Sequence, residues 1–341
     1  MKLAMNAGGF GPQVRIDIER IQRAEKLGYD SVWSAEAWGN DAISPLAWIA
    51  AQTSKIKLGT AIMQMPARTP AMAAMQAMTI DSLSGGRMIV GLGPSGPQVV
   101  EGWHGVPYGK PLTRTREYIH IMREIFKREG PVELQGEIYQ MPYNGPGSSG
   151  LGKPLKSILH GRADIPIHTA TISPRGVQTA AEVADGFIPI WTTAKGLSTF
   201  DERVEAGFAK AGNGKGWDDF EIIPTVTAIV NDDIDMCRSM VKPHLALYVG
   251  GMGAREKNFY NDHVSRQGWP DAARKIQDLY LDGKKKEATA EVPDDLVDSI
   301  ALIGPKDRVK DQLAEWKETR ATTLLVGGDP NSLETVAELV L

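Results

Sequence analysis

The sequence contains a single cysteine, Cys237, among its 341 residues. One cysteine excludes an internal disulfide and the zinc sites that several cysteines build. Long apolar runs are missing too, since none approaches the roughly 18 residues that a membrane-spanning helix needs. Residues 1–10 lack the pattern of a signal peptide. We therefore expect a cytoplasmic protein without a membrane segment.

An excess of positive charge is also absent. Lys and Arg number 38 against 42 Asp and Glu, which gives a net charge of −4. A nucleic-acid-binding protein would show a clustered basic excess, so we expect no nucleic-acid partner. Hydrophobic residues make up 42% and charged residues 23% of the chain. These are ordinary globular values, and they allow a large core.

The usual signatures of hydrolases are missing as well. The sequence has no H-E-x-x-H motif and no G-x-S-x-G elbow. No two histidines are spaced as a metal-binding pair at a strand end, so we predict no metal site. We interpret the histidines as surface or packing residues, except that His168 lies within a predicted strand and keeps a possible role. They are His104, His120, His160, His168, His244 and His263.

Short β-rich runs alternate with amphipathic helical segments along the whole chain. Such alternation favours a parallel sheet, and eight repeats favour a closed barrel over an open sheet. We therefore predict an α/β fold: one (β/α)₈ TIM barrel over residues 1–341, since barrels of this length form single domains. The predicted strands are residues 2–6, 31–34, 56–63, 88–92, 165–170, 186–190, 220–230 and 322–326.

Two insertions interrupt this alternation. Residues 130–164 are rich in Gly, Pro and Ser, and residues 250–292 mix glycines, aromatics and charges. Insertions of this length are usually loops that cover a site or contact another subunit, although plain surface decoration is the alternative.

A glycine-rich segment at residues 91–96 matches the G-x-G-x-x-G pattern of dinucleotide-binding turns. That pattern requires a helix at its last glycine, and Pro97, Gly102 and Gly105 disfavour one. No acidic residue follows the next strand at the required place, so we reject a Rossmann site. On a barrel the segment ends the fourth strand, where active sites form. Its glycines would either let a flat ring approach or provide a turn with positive φ.

The fifth helix begins with a capping sequence. Ser173 suits the N-cap and Pro174 the first helical position, which would leave the amides of Arg175, Gly176 and Val177 unpaired. With the helix dipole and the Arg175 guanidinium, these amides would bind an anion. A plain capped helix has the same sequence, so both interpretations stay open.

Glu36 follows the second predicted strand and stands two residues before Trp38. Desolvation beside an aromatic ring would favour the neutral carboxyl, which is the form that a general acid needs. Alternatively, Glu36 caps the next helix or pairs with an arginine. The sequence leaves both possibilities open.

Several motifs, in this order, resemble the luciferase-like family over nearly the whole chain. The variants at residues 35–38 and 95–103 are most similar to the actinobacterial-type branch that uses the deazaflavin coenzyme F420. The motifs are residues 28–33, 35–39, 57–62, 83–87, 91–96, 114–118, 184–186 and 301–304.

The resemblance implies where the deazaflavin ring would lie. A non-prolyl cis peptide between Ala61 and Ile62, in a bulge that ends the third strand, would back the ring, with Met63 and Gln64 alongside. Ala35 would contact the cofactor through its backbone only.

The resemblance also implies the proton donor at Glu36 and further cofactor contacts at Ser95 and Gly96. The family's sugar-phosphate dehydrogenases have a carboxylate where this chain has Gly96, which argues against a glucose-6-phosphate-type substrate. Trp38, Trp103 and Trp191 would form apolar walls for the substrate. The phosphate end of F420 would lie at Ile172, Ser173, Arg175, Gly176 and Val177.

The expected function is hydride transfer between C5 of F420 and a small organic substrate, in a homodimer. One alternative is an FMN-dependent monooxygenase on the same barrel. The other is a flavin-binding barrel without catalytic activity.

Overall fold

The computed structural model describes residues 1–9 and 11–341. The strands are β1 (Lys2–Asn6), β2 (Ser31–Ser34), β3 (Lys57–Thr60), β4 (Met63–Gln64), β5 (Met88–Gly93), β6 (Leu134–Gln135), β7 (Gln140–Met141), β8 (Ile167–Ala170), β9 (Gly186–Ile188), β10 (Glu221–Ile222), β11 (Thr225–Val230), β12 (Ala301–Gly304) and β13 (Thr323–Gly328). The helices are α1 (Ile18–Leu27), α2 (Ile43–Ala50), α3 (Pro70–Ser84), α4 (Pro97–Gly102), α5 (Pro111–Lys127), α6 (Pro174–Val183), α7 (Ala194–Leu197), α8 (Asp201–Ala211), α9 (Ile234–Ala246), α10 (Phe259–Arg266), α11 (Pro270–Leu281), α12 (Lys285–Ala290), α13 (Asp294–Ile300), α14 (Lys306–Lys317) and α15 (Pro330–Val340).

The main sheet is parallel and closes on itself. Its strand order is β10-β9-β8-β5-β3-β2-β1-β13-β11-β12, and β4 also pairs with β5. β10 pairs with β9, and the chain then continues as β11, whose Thr225 lies opposite Leu325 of β13. The chain thus passes directly from β10 to β11, and Ile190, just after β9, bridges Thr225 of β11, which closes the barrel. The predicted (β/α)₈ barrel is confirmed.

The strands near the end of the chain differ from the prediction in two details. The seventh predicted strand is divided at Pro224, which cannot donate a ladder hydrogen bond. β12 was not predicted as a strand. It is only four residues long, and it extends the sheet by pairing with β11.

Glycines make room for two large rings inside the barrel. A Cβ on Gly59 would lie 2.3 Å from Trp33, and one on Gly186 would lie 2.7 Å from His168. The two rings stack with centroids 6.0 Å apart, and both are almost fully buried. The structure therefore places His168 in the barrel interior as a packing residue.

Glu221 connects this interior to the surface. Its Oε2 lies 3.3 Å from His168 Nε2, without meeting hydrogen-bond geometry, and Lys2 Nζ lies 3.0 Å from its Oε1. The pKa of Glu221 is lowered to about 2, chiefly because His168 lies beside the carboxyl group. Burial raises the pKa of Glu221, and Lys2 lowers it further.

We expect Glu221→Gln to make stability less sensitive to acid. A carboxyl whose folded pKa lies below its ordinary 4.5 stabilises the fold above pH 4.5, and this contribution is lost as the pH falls toward 2. Because a third of the Glu221 side chain is exposed, we expect this pH-dependent contribution to the free energy of unfolding to be about 1 kcal/mol. Urea midpoints between pH 5 and 2.5 measure it, with surface Glu315→Gln as the control. Parallel curves for wild type and Glu221→Gln would contradict the assignment.

The two insertions differ in structure. Residues 130–164 contain the small antiparallel pair β6–β7 and long irregular stretches. The second insertion was expected as a loop, but most of it is helical and contains α10, α11 and α12. Asn258 caps α10 and Pro270 begins α11, which are local helix signals. These helices pack around α9 and Trp191 in a second apolar cluster.

Across residues 1–9 and 11–341, the helices are all too short or too polar to cross a bilayer.

Candidate active site

The C-terminal ends of the barrel strands form a mouth with an apolar floor. Ala61, Ile62 and Ala170 are partly buried and pack on the cluster that fills the barrel interior. The peptide bond between Ala61 and Ile62 is cis, as predicted. The predicted third strand is interrupted at this bond and continues as β4.

The glycines that end β5 serve close packing. A Cβ on Gly91 would lie 1.8 Å from the Thr60 carbonyl oxygen, and one on Gly93 would lie 2.4 Å from the Ile62 side chain. Neither glycine has a positive φ, so the positive-φ turn, one of the two alternatives that the sequence left open, does not apply to them; Ser95 has that conformation instead, with φ 58°. The neighbouring bulge is what requires glycine here.

A helix does follow this segment, contrary to the prediction. α4 begins at Pro97, where a missing N–H costs nothing, and ends after six residues at Gly102. The rejection of a Rossmann site is unaffected, because the segment belongs to a closed barrel.

Glu36 is held in a buried ion pair. Arg68 Nη1 and Nη2 donate to its two carboxylate oxygens at 2.7 and 2.8 Å. The Arg68 side chain is only 12% exposed, and the Glu36 side chain is only 5% exposed. The amides of Gln64 and Ala42 donate to the same carboxylate at 2.6 and 3.0 Å. These four N–H donors contact both carboxyl oxygens, so the contacts of Glu36 favour the arginine pairing that the sequence left open. Its role as proton donor stays a prediction.

A hydrogen bond between Gln64 and His104 was not foreseen. Gln64 Oε1 lies 2.9 Å from His104 Nε2, at the mouth of the barrel. Gln64 is 2% exposed and His104 is half-buried. The two residues are 40 apart in sequence, and they meet because β4, which contains Gln64, pairs with β5, which leads into α4 and His104. No local pattern could have indicated this pair.

The start of α6 is capped as predicted, but it has fewer free amides than expected. The Ser173 hydroxyl accepts from the Gly176 amide at 3.1 Å, and the Ser173 carbonyl accepts from Val177 at 2.9 Å. The expectation of three unpaired amides was therefore wrong, because the cap itself satisfies two of them. Of the three, the Arg175 amide alone is left without a hydrogen bond in the described part of the chain.

Two guanidinium groups lie near this helix start. Arg175 is exposed and forms no ion pair with the described residues. Arg266, at the end of α10, donates to the Ile172 carbonyl at 3.0 Å and was missed by the sequence analysis. Arg266 belongs to the second insertion, so its position depends on how α10 docks onto the barrel.

Helix α10 docks onto the loop after β9 through polar contacts. Gln267 accepts from the Thr193 amide at 2.8 Å and donates to the Trp191 carbonyl at 2.7 Å. His263 Nε2 lies 2.9 Å from the Thr192 hydroxyl. Burial, together with the nearby Arg266 charge, lowers the pKa of His263 to about 3, so its ring is neutral at physiological pH. The insertion is thus fixed beside the barrel mouth.

Trp191 is the enclosed member of the three predicted wall residues. It is 6% exposed, has φ 54°, and its indole Nε1 has no partner in the described residues. His244 and Tyr248 contact it edge-on, at 5.3 and 5.6 Å between ring centroids. Trp38 and Trp103 are 53% and 64% exposed.

The remaining predicted residues occupy two environments. Met63 and Val177 are fully buried in the main core. Ala35, Ser95 and Gly96 are half-buried at the mouth.

Comparison with known proteins identifies the family. The sequence pattern of the luciferase-like monooxygenase family matches residues 5–323, so the chain belongs to that family. It is 44% identical to a Mycobacterium tuberculosis protein whose name assigns it to the coenzyme F420-dependent oxidoreductases, covering 100% of this chain and 99% of that protein.

Solved structures agree on the fold. The coenzyme F420-dependent tetrahydromethanopterin reductase from Methanopyrus kandleri superposes with a TM-score of 0.77 at 23% identity, covering 99% of this chain and 98% of that one. An F420-dependent secondary alcohol dehydrogenase, in complex with an F420–acetone adduct, superposes with a TM-score of 0.73 at 18% identity, covering 100% and 98%.

Proposed function

We propose that this protein is an F420-dependent oxidoreductase that exchanges a hydride with a small organic substrate. The observation that carries the proposal is the full-length 44% identity to the M. tuberculosis protein, whose name includes coenzyme F420. The site has features that suit both the ring end and the phosphate end of F420.

The residues present fit an F420 molecule. Its flat apolar ring fits the floor made by Ala61, Ile62 and Ala170. Its anionic phosphate tail fits the start of α6, where Arg175 and Arg266 supply positive charge. These residues would hold the cofactor.

The bound deazaflavin would supply a hydride, and the chain would orient the substrate against it. Trp191, with Tyr248 and His244 at its edges, would form an apolar wall for the substrate. The positive φ of Trp191 supports this role, because backbone strain clusters at functional sites. The unpartnered indole N–H would donate to a substrate oxygen.

Titration with F420 and with FMN tests the proposal. We expect tight F420 binding, followed by fluorescence, and weak FMN binding. Arg266→Ala and Arg175→Ala should each weaken F420 binding about ten- to a hundredfold, since a charge-assisted contact contributes roughly 1.5–3 kcal/mol. Arg274→Ala, on the exposed face of α11, is the matched control and should bind like wild type.

Three outcomes would contradict parts of this proposal. Micromolar FMN binding without F420 binding would favour an FMN-dependent monooxygenase; the family's name includes monooxygenase activity. F420 binding without turnover across small ketones, alcohols and enones would favour a non-catalytic flavin-binding barrel. Unchanged F420 affinity in both arginine variants at low salt would remove the tail site from the start of α6.

A further inference from the structure

Gln64 fixes the orientation of the His104 imidazole. The Gln64 side-chain nitrogen donates to the main-chain carbonyls of Ala37 and Glu36, at 2.8 and 3.2 Å. Carbonyl oxygens only accept, so the amide cannot be reversed, and its Oε1 must face His104 Nε2. An amide oxygen also only accepts. His104 Nε2 therefore carries a hydrogen in both protonation states of the ring.

Consequently, Nδ1 is the nitrogen at which a proton is gained and lost. Within residues 1–9 and 11–341, Nδ1 makes no hydrogen bond, and the ring is half-buried rather than enclosed. An imidazole held in this way can deliver a proton from Nδ1 without turning.

The support for this ring is rigid and lies at the mouth. Gln64 follows the floor residue Ile62 by two positions, and its own amide donates to Glu36 at 2.6 Å. Arg68 holds Glu36 from the other side. The titratable side chains behind Gln64 are thus Glu36 and Arg68, with Asp41 also close to Arg68. His104 itself follows α4, at the end of the barrel where active sites form.

We propose that His104, positioned by Gln64, exchanges the proton that accompanies hydride transfer, and this inference rests on the proposed function. In a reduction, the electrophilic carbon of a ketone or enone takes the hydride from the reduced deazaflavin. The proton passes from Nδ1 to the carbonyl oxygen or the α-carbon. The substrate gains two electrons and two hydrogens, and the neutral His104 takes a new proton from water. In an oxidation, Nδ1 accepts the proton.

Nitrogen-15 NMR of the histidine rings tests the positioning without substrate. The ring signal that disappears in His104→Gln identifies His104. In the wild type we expect this signal to show the Nε2–H tautomer, and in Gln64→Met we expect a mixture of the two tautomers. His120→Gln, on the exposed face of α5, is the control for assignment. A dominant Nδ1–H tautomer in the wild type would overturn the positioning.

Addition of F420 tests the location. We expect F420 to shift the His104 signal, and an unmoved signal with F420 bound by fluorescence would overturn the role. In F420H₂ oxidation by small ketones and 2-enones, His104→Gln should lower turnover about 10²–10⁴-fold with unchanged F420 affinity. Turnover within threefold of wild type would also overturn it. Failure of the wild type to bind F420, or to oxidise F420H₂ with any acceptor, would instead overturn the proposed function, while the tautomer result would stand.

Discussion

Gly91→Ala is expected to destabilise the barrel by about 3 kcal/mol or more, because the added methyl group meets backbone that cannot move aside. Its Cβ would lie 1.8 Å from the Thr60 carbonyl oxygen. The Thr60 hydroxyl accepts from the Gly91 amide and donates to the Gly91 carbonyl, both at 2.8 Å. This side chain continues the contact between β3 and β5 where the β3 backbone turns away. A methyl group would force the two strands apart directly below the floor.

Thermal and urea unfolding measure this effect. For a chain of this length, 3 kcal/mol corresponds to a fall in Tm of about 4 °C. Gly130→Ala is the matched control, because a Cβ there meets nothing within 4 Å and φ is not positive. We expect the control to stay within about 0.5 kcal/mol of wild type. If Gly91→Ala unfolds like the control, the strands can separate freely and the packing argument fails.

Thr60→Val provides a milder test of the same contact. It removes the hydroxyl and leaves a buried amide unpaired, which costs about 1–3 kcal/mol. Because valine keeps the shape of threonine, this variant should fold even if Gly91→Ala does not accumulate. Both variants should also weaken F420 binding if the floor above them holds the ring.

The barrel could be predicted because its information is local. Short stretches of sequence predict each strand and helix, and eight strand–helix repeats commonly form a closed barrel. The break at Pro224 has a local cause as well, although the strand prediction ran through this proline. The short strand β12 could not be predicted in this way, because it depends on pairing with β11, which is distant in sequence.

In the candidate site, too, local features could be predicted and long-range contacts could not. The cap at Ser173 is a local feature and was predicted, whereas its effect on the neighbouring amides needed the actual hydrogen bonds. Arg68, His104 and Arg266 meet partners that lie 32, 40 and 94 residues away, respectively. No periodicity or motif links such pairs, because loop geometry decides them. The position of Glu36 just after the second strand is a local feature, so the sequence placed it at the mouth. Its partner Arg68 is distant in sequence, so the sequence left the ion pair open.

Arg68→Met is expected to cost about 3–5 kcal/mol, since it leaves the Glu36 carboxylate buried without its counter-ion. The carboxylate is only 5% exposed, so water cannot replace the guanidinium. Glu36→Gln should also be destabilising, because it leaves Arg68 as the unpaired charge. The double variant should lose less than the sum of the two, because no buried charge is left without a partner. Urea unfolding of the four proteins gives the coupling energy, with exposed Arg274→Met as the control.

The same variants separate two roles for Glu36. The Glu36 carboxyl oxygens accept two hydrogen bonds from Arg68 and one each from the amides of Ala42 and Gln64, so these contacts hold the side chain in place. We therefore expect Glu36→Gln to lose stability, and any loss of turnover to follow from displacement of Gln64 and His104. In that case the His104 tautomer should become mixed in Glu36→Gln as it does in Gln64→Met. A Glu36→Gln variant with wild-type stability and an unchanged His104 tautomer, but turnover reduced about 10²–10⁴-fold, would restore Glu36 as the proton donor.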